Sequence, residues 1–242
     1  VSRRAAIDGK PVTVVGVAKG AGMIRPDMAT MLCFVCTDAD GQPAVLRRCL
    51  SRACEKSFNR ITVDGDTSTN DTLLLLANGL SGASLAEADA QAAFQEMLDD
   101  ALTALAKMLV RDAEGATKLV EIEVVGAASE ADARMVADTV AHSNLVKTAL
   151  FGEDANWGRI LAAVGRSGVP VAPEAIDIRF DEVRMCRNGM TCGEAAEKAV
   201  TAVMKKPEYR ISIDLHMGTA RDSVFTCDFS IDYVKINADY RS

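Results

Sequence analysis

Histidine is nearly missing from this chain, which holds only His142 and His216 among 242 residues. That scarcity excludes much. A Ser-His-Asp or Cys-His hydrolase would have to use one of the two, and neither lies near a nucleophile elbow. No His/Cys cluster has zinc spacing, so no metal site is expected. Apolar runs such as "LLLLA" (Leu73–Ala77) are far too short to cross a bilayer, and no secretory signal opens the chain. Basic residues gather only in pairs (Arg3-Arg4, Arg47-Arg48, Lys205-Lys206), and the formal net charge is −7. Neither a nucleic acid nor an anionic membrane is therefore expected as the main partner. Seven cysteines make an odd number without a framework spacing, which points to a reduced, cytoplasmic setting. Cys33 and Cys36 form a CxxC, but "MLCFVC" reads as a strand, so structural cysteines are expected rather than a redox or metal pair.

What is present reads as α/β. "PVTVVGVAKGAG" is a β-rich run ending in a glycine loop, and "TMLCFVCTDA" is a second strand whose lack of alternation predicts burial on both faces. Residues 44–58 have helical spacing, and "LLLLANG" begins another buried element. Residues 87–110 carry the clearest helical stripe, with Phe94, Met97, Leu98, Ala101, Leu105, Met108 and Leu109 on one side. "EGATK" ends it. "KLVEIEVVGA" then alternates as a strand, and Ser129 with Asp132 signals the start of a helix. Thr191 and Glu194 mark another helix. "YRISIDLHMG" and "SVFTCDFSIDYVKI" read as two strands, the second with Phe225, Cys227, Phe229, Ile231 and Tyr233 on one face. The change of grammar places a domain boundary between residues 117 and 118, giving regions 1–117 and 118–242.

Three stretches carry candidate chemistry. "VAKGAGM" is a glycine turn with Lys19, suited to an anion but also to a plain tight turn. "DGDTSTND" (Asp64–Asp71) resembles half a calcium loop, yet Thr69 stands where glycine is needed and Leu75 where glutamate is. It reads instead as a turn satisfying its own backbone, able to brace a neighbouring reactive loop. The third is "IRPDMATML". Where histidine is scarce, a threonine hydroxyl can be activated by its own α-amine, whose pKa near about 8 suits a base at neutral pH. That requires the Ala29–Thr30 bond to be cut, which the Thr30 hydroxyl can do by attacking the Ala29 carbonyl. On the residues alone, a threonine opening a strand is more often an ordinary strand residue.

Together, "GVAKGAGMIRPDMATML", "ITVDGDTSTNDT", "RDAEGATKLVEI", "VKTALFGEDANWGRILAAVGRSG" and "DYVKINADYRS" resemble, in order and to the last residue, the ornithine acetyltransferase family of arginine biosynthesis, also called glutamate N-acetyltransferase. The resemblance implies a layered α/β sandwich catalytic region with an N-terminal-threonine nucleophile, followed by a smaller C-terminal α/β domain whose tail returns to the active site. It implies self-cleavage between Ala29 and Thr30, so that residues 1–29 end an α piece and 30–242 form a β piece, with two of each in an α2β2 heterotetramer. Thr30 is then the catalytic residue, and Lys19, Thr30, Glu114, Asn237 and Ser242 the substrate-binding ones. The last of these is usually threonine in the family, and serine keeps the hydroxyl.

The implied reaction moves an acetyl group from N-acetylornithine to glutamate through an acetyl-threonine ester. It needs no cofactor, and acetyl-CoA is a second donor in the bifunctional members. The family's oxyanion-hole Thr-Gly pair precedes the "AKG" loop and has no counterpart here. A chain that opens in mid-domain sequence at Val1 is thus expected to be the later part of a longer precursor. "FGEDANWGR" (Phe151–Arg159) carries no implied site residue and is expected to be a structural junction. The rival on the same nucleophile is an N-terminal-threonine aminopeptidase or amidohydrolase, which hands the acyl group to water. A non-enzymatic rival is an uncleaved binding or assembly domain.

Overall fold

A computed structural model describes residues 1–25, 31–67 and 70–239. The chain is mixed α/β and divides into two compact units, Val1–Leu109 and Val110–Ser242. The division falls eight residues before the 117/118 position at which the sequence changes grammar.

The first unit opens with β1 (Ser2–Ile7) and β2 (Lys10–Lys19), an antiparallel hairpin. Its turn is Asp8-Gly9, both with positive φ (51° and 68°), the geometry that aspartate-glycine hairpins favour. Next come β3 (Leu32–Thr37), α1 (Pro43–Lys56), a two-residue strand β4 (Ile61–Thr62), β5 (Thr72–Ala77) and α2 (Ala88–Arg111). The sheet runs β1-β2-β3-β5, with β3 and β5 parallel. Val12, Val14, Cys33, Val35 and Leu73 are buried on one face, as are Ala53 and Cys54 of α1 and Phe94, Leu98, Leu102 and Leu105 of α2. Gly16 lets α2 approach, since a Cβ there would lie 2.7 Å from Leu105 Cδ1.

β3 is not buried on both faces. Cys33, Val35 and Thr37 point inward, while Leu32, Phe34 and Cys36 are exposed. The run of apolar residues hides an ordinary alternation, because helices of this unit cover one face and the other face is apolar too. β5, at the sheet edge, likewise exposes Leu74 and Leu76. The α2 stripe is buried as its period predicts, except for Met108, which is half exposed.

The second unit contains β6 (Leu119–Ala127), α3 (Glu130–Ala141), α4 (Asn144–Phe151), α5 (Trp157–Gly165), β7 (Asp177–Phe180), β8 (Val183–Arg187), β9 (Met190–Thr191), α6 (Glu194–Met204), β10 (Glu208–Asp214), β11 (Ala220–Cys227) and α7 (Ile231–Asp239). Its strands run β11-β6-β10-β7-β8-β9, with β6 and β10 parallel. Ile122, Val124, Ile211 and Ile213 join Val136, Val140, Ile160 and Val200 in one core. Ser129 caps α3 as its spacing predicts, its hydroxyl accepting the Asp132 N–H at 3.1 Å.

Two local expectations are corrected. Gly193, not Thr191, caps α6; at φ +88° it makes a turn that a side chain would disfavour, and the Thr191 hydroxyl accepts the Gly193 N–H at 3.1 Å instead. "SVFTCDFSIDYVKI" is a strand only to Cys227. Ser230 then accepts the Tyr233 N–H at 3.1 Å and starts α7, so Ile231 and Tyr233 are helical. The alternation failed here because α7 buries no residue in its own unit, so no core imposes a helical period on it.

Candidate active site

Ala29, Thr30 and Ser242 lie outside the described residues, as does the end of the tail expected to return over the site. The chain on both sides of residues 26–30 is described. Upstream, Lys19 is the exposed last residue of β2, paired with Leu32 of β3. By register it stands beside the strand that begins two residues after Thr30. The Asp64 carboxylate accepts the N–H groups of Met23 (2.7 Å) and Ile24 (3.1 Å), and the Val63 N–H donates to the Ile24 carbonyl at 2.7 Å. The Thr67 hydroxyl donates to the Arg25 carbonyl at 3.2 Å. Downstream, Asp71 accepts the Met31 N–H and the Thr72 N–H donates to the Met31 carbonyl at 2.9 Å.

Asp71 is electrostatically unusual. Burial pushes its carboxyl up to about 6, against the Met31 N–H, which favours the ion. Its second oxygen, Oδ2, is buried and accepts no hydrogen bond among the described residues. "DGDTSTND" thus does satisfy backbone through its side chains, as its composition implies, and much of that backbone belongs to the segments flanking residues 26–30.

In the second unit the structure brings Glu114 and Asn237 together across 123 residues of sequence: Asn237 Nδ2 donates to Glu114 Oε2 at 3.2 Å. Glu114 is half-buried in the turn after α2, and Asn237 is exposed on α7. Gly115, at φ +66°, makes the turn possible, since a Cβ there would lie 2.5 Å from the Tyr233 nitrogen. Sequence reasoning missed the residues that hold this pair. Asp228 accepts Thr117 N (2.7 Å), Thr117 Oγ1 (2.7 Å) and Lys118 N (2.9 Å). Ser230 Oγ donates to the Gly115 carbonyl at 2.6 Å while capping α7. A signal existed in "CDFSID", where a serine two residues after an aspartate and two before another is a helix start.

The "FGEDANWGR" stretch serves as a junction. Glu153 pairs with the buried Lys118 at 2.8 Å, Asn156 caps α5 through the Arg159 N–H, and Arg159 donates to the Leu145 carbonyl at 2.9 Å. Both histidines stand at the ends of elements. His142 ends α3 with Nδ1 2.6 Å from the Asp138 carbonyl, and His216 follows β10 with its ring 3.6 Å from Asp214. Cys33 and Cys36 point to opposite faces of β3, which suits structural cysteines. Among the described residues no group of His, Cys, Asp and Glu could hold a metal ion, and no helix is long and apolar enough to cross a membrane. A cavity of about 560 Å³ in the first unit is lined by Asp40, Leu46, Arg47, Leu50, Leu73 and Asn78 among others, and none of the expected site residues lines it. Volume alone therefore does not locate the chemistry, and the hydrogen-bonded carboxylates are the better guide.

The family model of the ArgJ family matches residues 1–242. The chain is 56% identical over 238 residues to the arginine biosynthesis bifunctional protein ArgJ of Desulfotalea psychrophila, covering 98% of this chain and 61% of that protein. It is 52% identical over 243 aligned positions to the protein of the same description from Geobacter sulfurreducens, covering 62% of it. The chain thus spans about three fifths of the length of the curated relatives it matches. It also resembles a crystal structure of arginine biosynthesis bifunctional protein argJ from Bacillus halodurans, with a TM-score of 0.81 and 44% identity over 86% of this chain and 98% of that one.

Proposed function

Since the chain belongs to the ArgJ family, we propose that it is the larger part of an acetyltransferase of arginine biosynthesis that works through Thr30. The Thr30 hydroxyl first attacks the Ala29 carbonyl; the peptide bond becomes an ester, and water opens it, leaving a free α-amine on Thr30. In turnover the same oxygen attacks the acetamide carbonyl of N-acetylornithine. Its proton passes to the α-amine and on to the departing ornithine nitrogen. The amine of glutamate then attacks the threonine ester, giving N-acetylglutamate and restoring the hydroxyl. Dividing amide cleavage in this way replaces one difficult step with two easier ones. No cofactor is required, and an acetyl-CoA donor would load the same ester.

The strand register carries this reading. Lys19 pairs with Leu32, so a cation stands at the end of β2 adjoining the end of β3 where residue 30 enters. There it suits a substrate carboxylate or the oxyanion. Glu114, hydrogen-bonded to Asn237, suits the substrate amine. The lengths also support it. Of these 242 residues, 86% is about 208, and 208 is 98% of about 212, the length of the Bacillus halodurans chain. The stretch from Thr30 to Ser242 numbers 213 residues. In this reading residues 1–29 end the α piece, the two pieces stay associated in an α2β2 assembly in the cytoplasm, and Ser242 lies at the substrate.

The test is intact-mass measurement on the full-length precursor together with transfer of labelled acetyl from N-acetylornithine. Wild type should be cut between Ala29 and Thr30 and should label glutamate rather than water. Thr30→Ala should abolish cleavage and transfer together. Cleavage persisting in Thr30→Ala would refute self-processing, and label passing to water at a rate glutamate does not change would make the protein an amidohydrolase.

A further inference from the structure

The cluster least explained by acetyl transfer is the set of side chains that the Asp64–Asp71 stretch contributes to the segments around residues 26–30. A turn of this composition can satisfy itself, and in part this one does, since the Asp66 N–H donates to Asp64 at 3.2 Å. Yet both carboxylates at its ends reach outward. Asp64 takes two consecutive amides, of Met23 and Ile24, and Thr67 ties down the carbonyl of Arg25. Those are the last three described residues before position 26. Asp71 takes the amide of Met31, the first described residue after position 30, and Thr72 takes its carbonyl. One short stretch therefore grips the chain immediately before and immediately after the five residues that contain the Ala29–Thr30 bond.

We propose that Asp64 and Asp71 are positioning residues for self-cleavage, acting as the two arms of a bracket that fixes where the segment carrying the Ala29–Thr30 bond begins and ends. The inference rests on the reading that this bond is cut by the Thr30 hydroxyl. The reaction is intramolecular, so its rate depends on how often the hydroxyl meets the carbonyl in the attacking geometry. A chain held at both ends samples far fewer arrangements than a free loop. The grip is built of charge-assisted hydrogen bonds to backbone amides, which hold position better than neutral ones. The Met31 nitrogen that Asp71 holds is bonded directly to the carbonyl carbon of Thr30, so this arm acts within a few bonds of the attacking oxygen. Its buried second oxygen, Oδ2, has no donor among the described residues, and leaving such an atom unsatisfied is costly.

The test is the rate of precursor cleavage, followed by intact mass in the full-length protein, with the melting temperature measured on each variant. Asp71→Ala should slow cleavage by about 100-fold and Asp64→Ala by about 10-fold, the scale set by small misplacements of reacting groups. Asp71→Asn keeps an oxygen that can accept the Met31 amide and should be rescued to within about 10-fold of wild type. Asp66→Ala removes an equal charge from the same stretch. Its carboxylate accepts no hydrogen bond among the described residues, so cleavage should stay within about twofold of wild type. A purely structural role predicts lowered melting temperatures with cleavage unchanged in the protein that remains folded, and that result overturns the bracket while leaving Thr30 chemistry intact. Equal slowing by Asp66→Ala and Asp64→Ala overturns it too, because loop charge rather than grip would then be at work. A wild-type precursor that stays whole overturns the reading of Thr30 and the bracket with it.

Discussion

The two sheets of this chain are clad in the same way and finished differently. In each, the helices of its unit pack on one face. On the other face the first sheet presents Val15, Val17, Leu32, Phe34, Leu74 and Leu76, with Val17 60% exposed and Leu76 55%. The corresponding face of the second sheet is polar along the middle of β6 and β10, although Phe225 of β11, paired with Glu121, lies on it and is buried. Arg210 lies 3.0 Å from Glu121 and 3.7 Å from Glu123, and the Ser212 hydroxyl donates to Glu123 at 2.6 Å. Ion pairs and hydrogen bonds tie down the charged groups of the second sheet, whereas each large side chain on the first, already about half covered, would gain on the order of 1 kcal/mol if fully covered. Equal helical cover therefore does not mean equal completeness: the charged sheet can end at its own surface, and the apolar one has the composition of half a core.

The comparison can be broken where it claims sameness. Under the helices, Phe94→Ala in the first unit should cost about 3–5 kcal/mol and Ile122→Ala in the second about 2–5 kcal/mol, read from urea unfolding. A cost below about 1 kcal/mol for either would mean that its helical layer is not a packed core.

Smaller effects sharpen the claim of difference. Paired substitution Phe34→Ser and Leu76→Ser should change the stability of this chain by less than about 1 kcal/mol while clearly lowering binding of a hydrophobic dye. Unchanged dye binding would show that the first sheet is not the exposed apolar surface. On the second sheet Arg210→Ala should cost only about 0.2–1 kcal/mol, and the cost should shrink in 1 M salt, where exposed charges are screened. A salt-independent loss would indicate packing rather than charge.

The two units also differ in a pair of opposite pH dependences. Asp71 in the first unit is raised by burial from its ordinary 3.8 to about 6, despite the Met31 amide, with the Cys54 thiol as its titratable neighbour. Its folded form holds the proton more tightly than its unfolded form, so its contribution is complete below 3.8 and lost as pH rises through about 6. Asp181 in the second unit is the reverse: burial opposes its charge, but the Lys206 ion pair and the Arg210 N–H outweigh burial and hold it below 3.8. Its contribution is present above 3.8 and lost as pH falls through its folded value. Asp71→Asn should therefore remove a loss of stability between pH 4 and about 6, and Asp181→Asn a loss only in stronger acid.

How much of this could be read in the sequence depended on which features one surface or one turn decides. α1, α2 and α3 were legible because a core on one side enforces their period, and Ser129 was legible because a cap is local. Burial on both faces of β3 was misread because "MLCFVC" is apolar whether its outer face is covered or bare. α7 was misread because it buries nothing in its unit and so carries no helical stripe, leaving only Ser230 to announce it. For the candidate site, motifs named Lys19, Glu114 and Asn237, but the contact between the last two spans 123 residues and no local pattern encodes it. Asp228 is similar, since an aspartate that binds two amides more than a hundred residues away looks like any other in one dimension.

The seven cysteines turn the difference between the sheets into something that can be timed. Five are buried, and burial pushes Cys33 up to about 12 and Cys54 and Cys186 to about 11, so they stay protonated and slow toward alkylating reagents at neutral pH. The two exposed ones fall one to each unit: Cys36 among the bare apolar side chains of the first sheet, and Cys192 between β9 and α6 in the second. The chain thus carries its own probe and its own reference. The ratio of their modification rates should fall when anything covers the apolar face and hold steady otherwise, giving a clock for assembly that needs no introduced label.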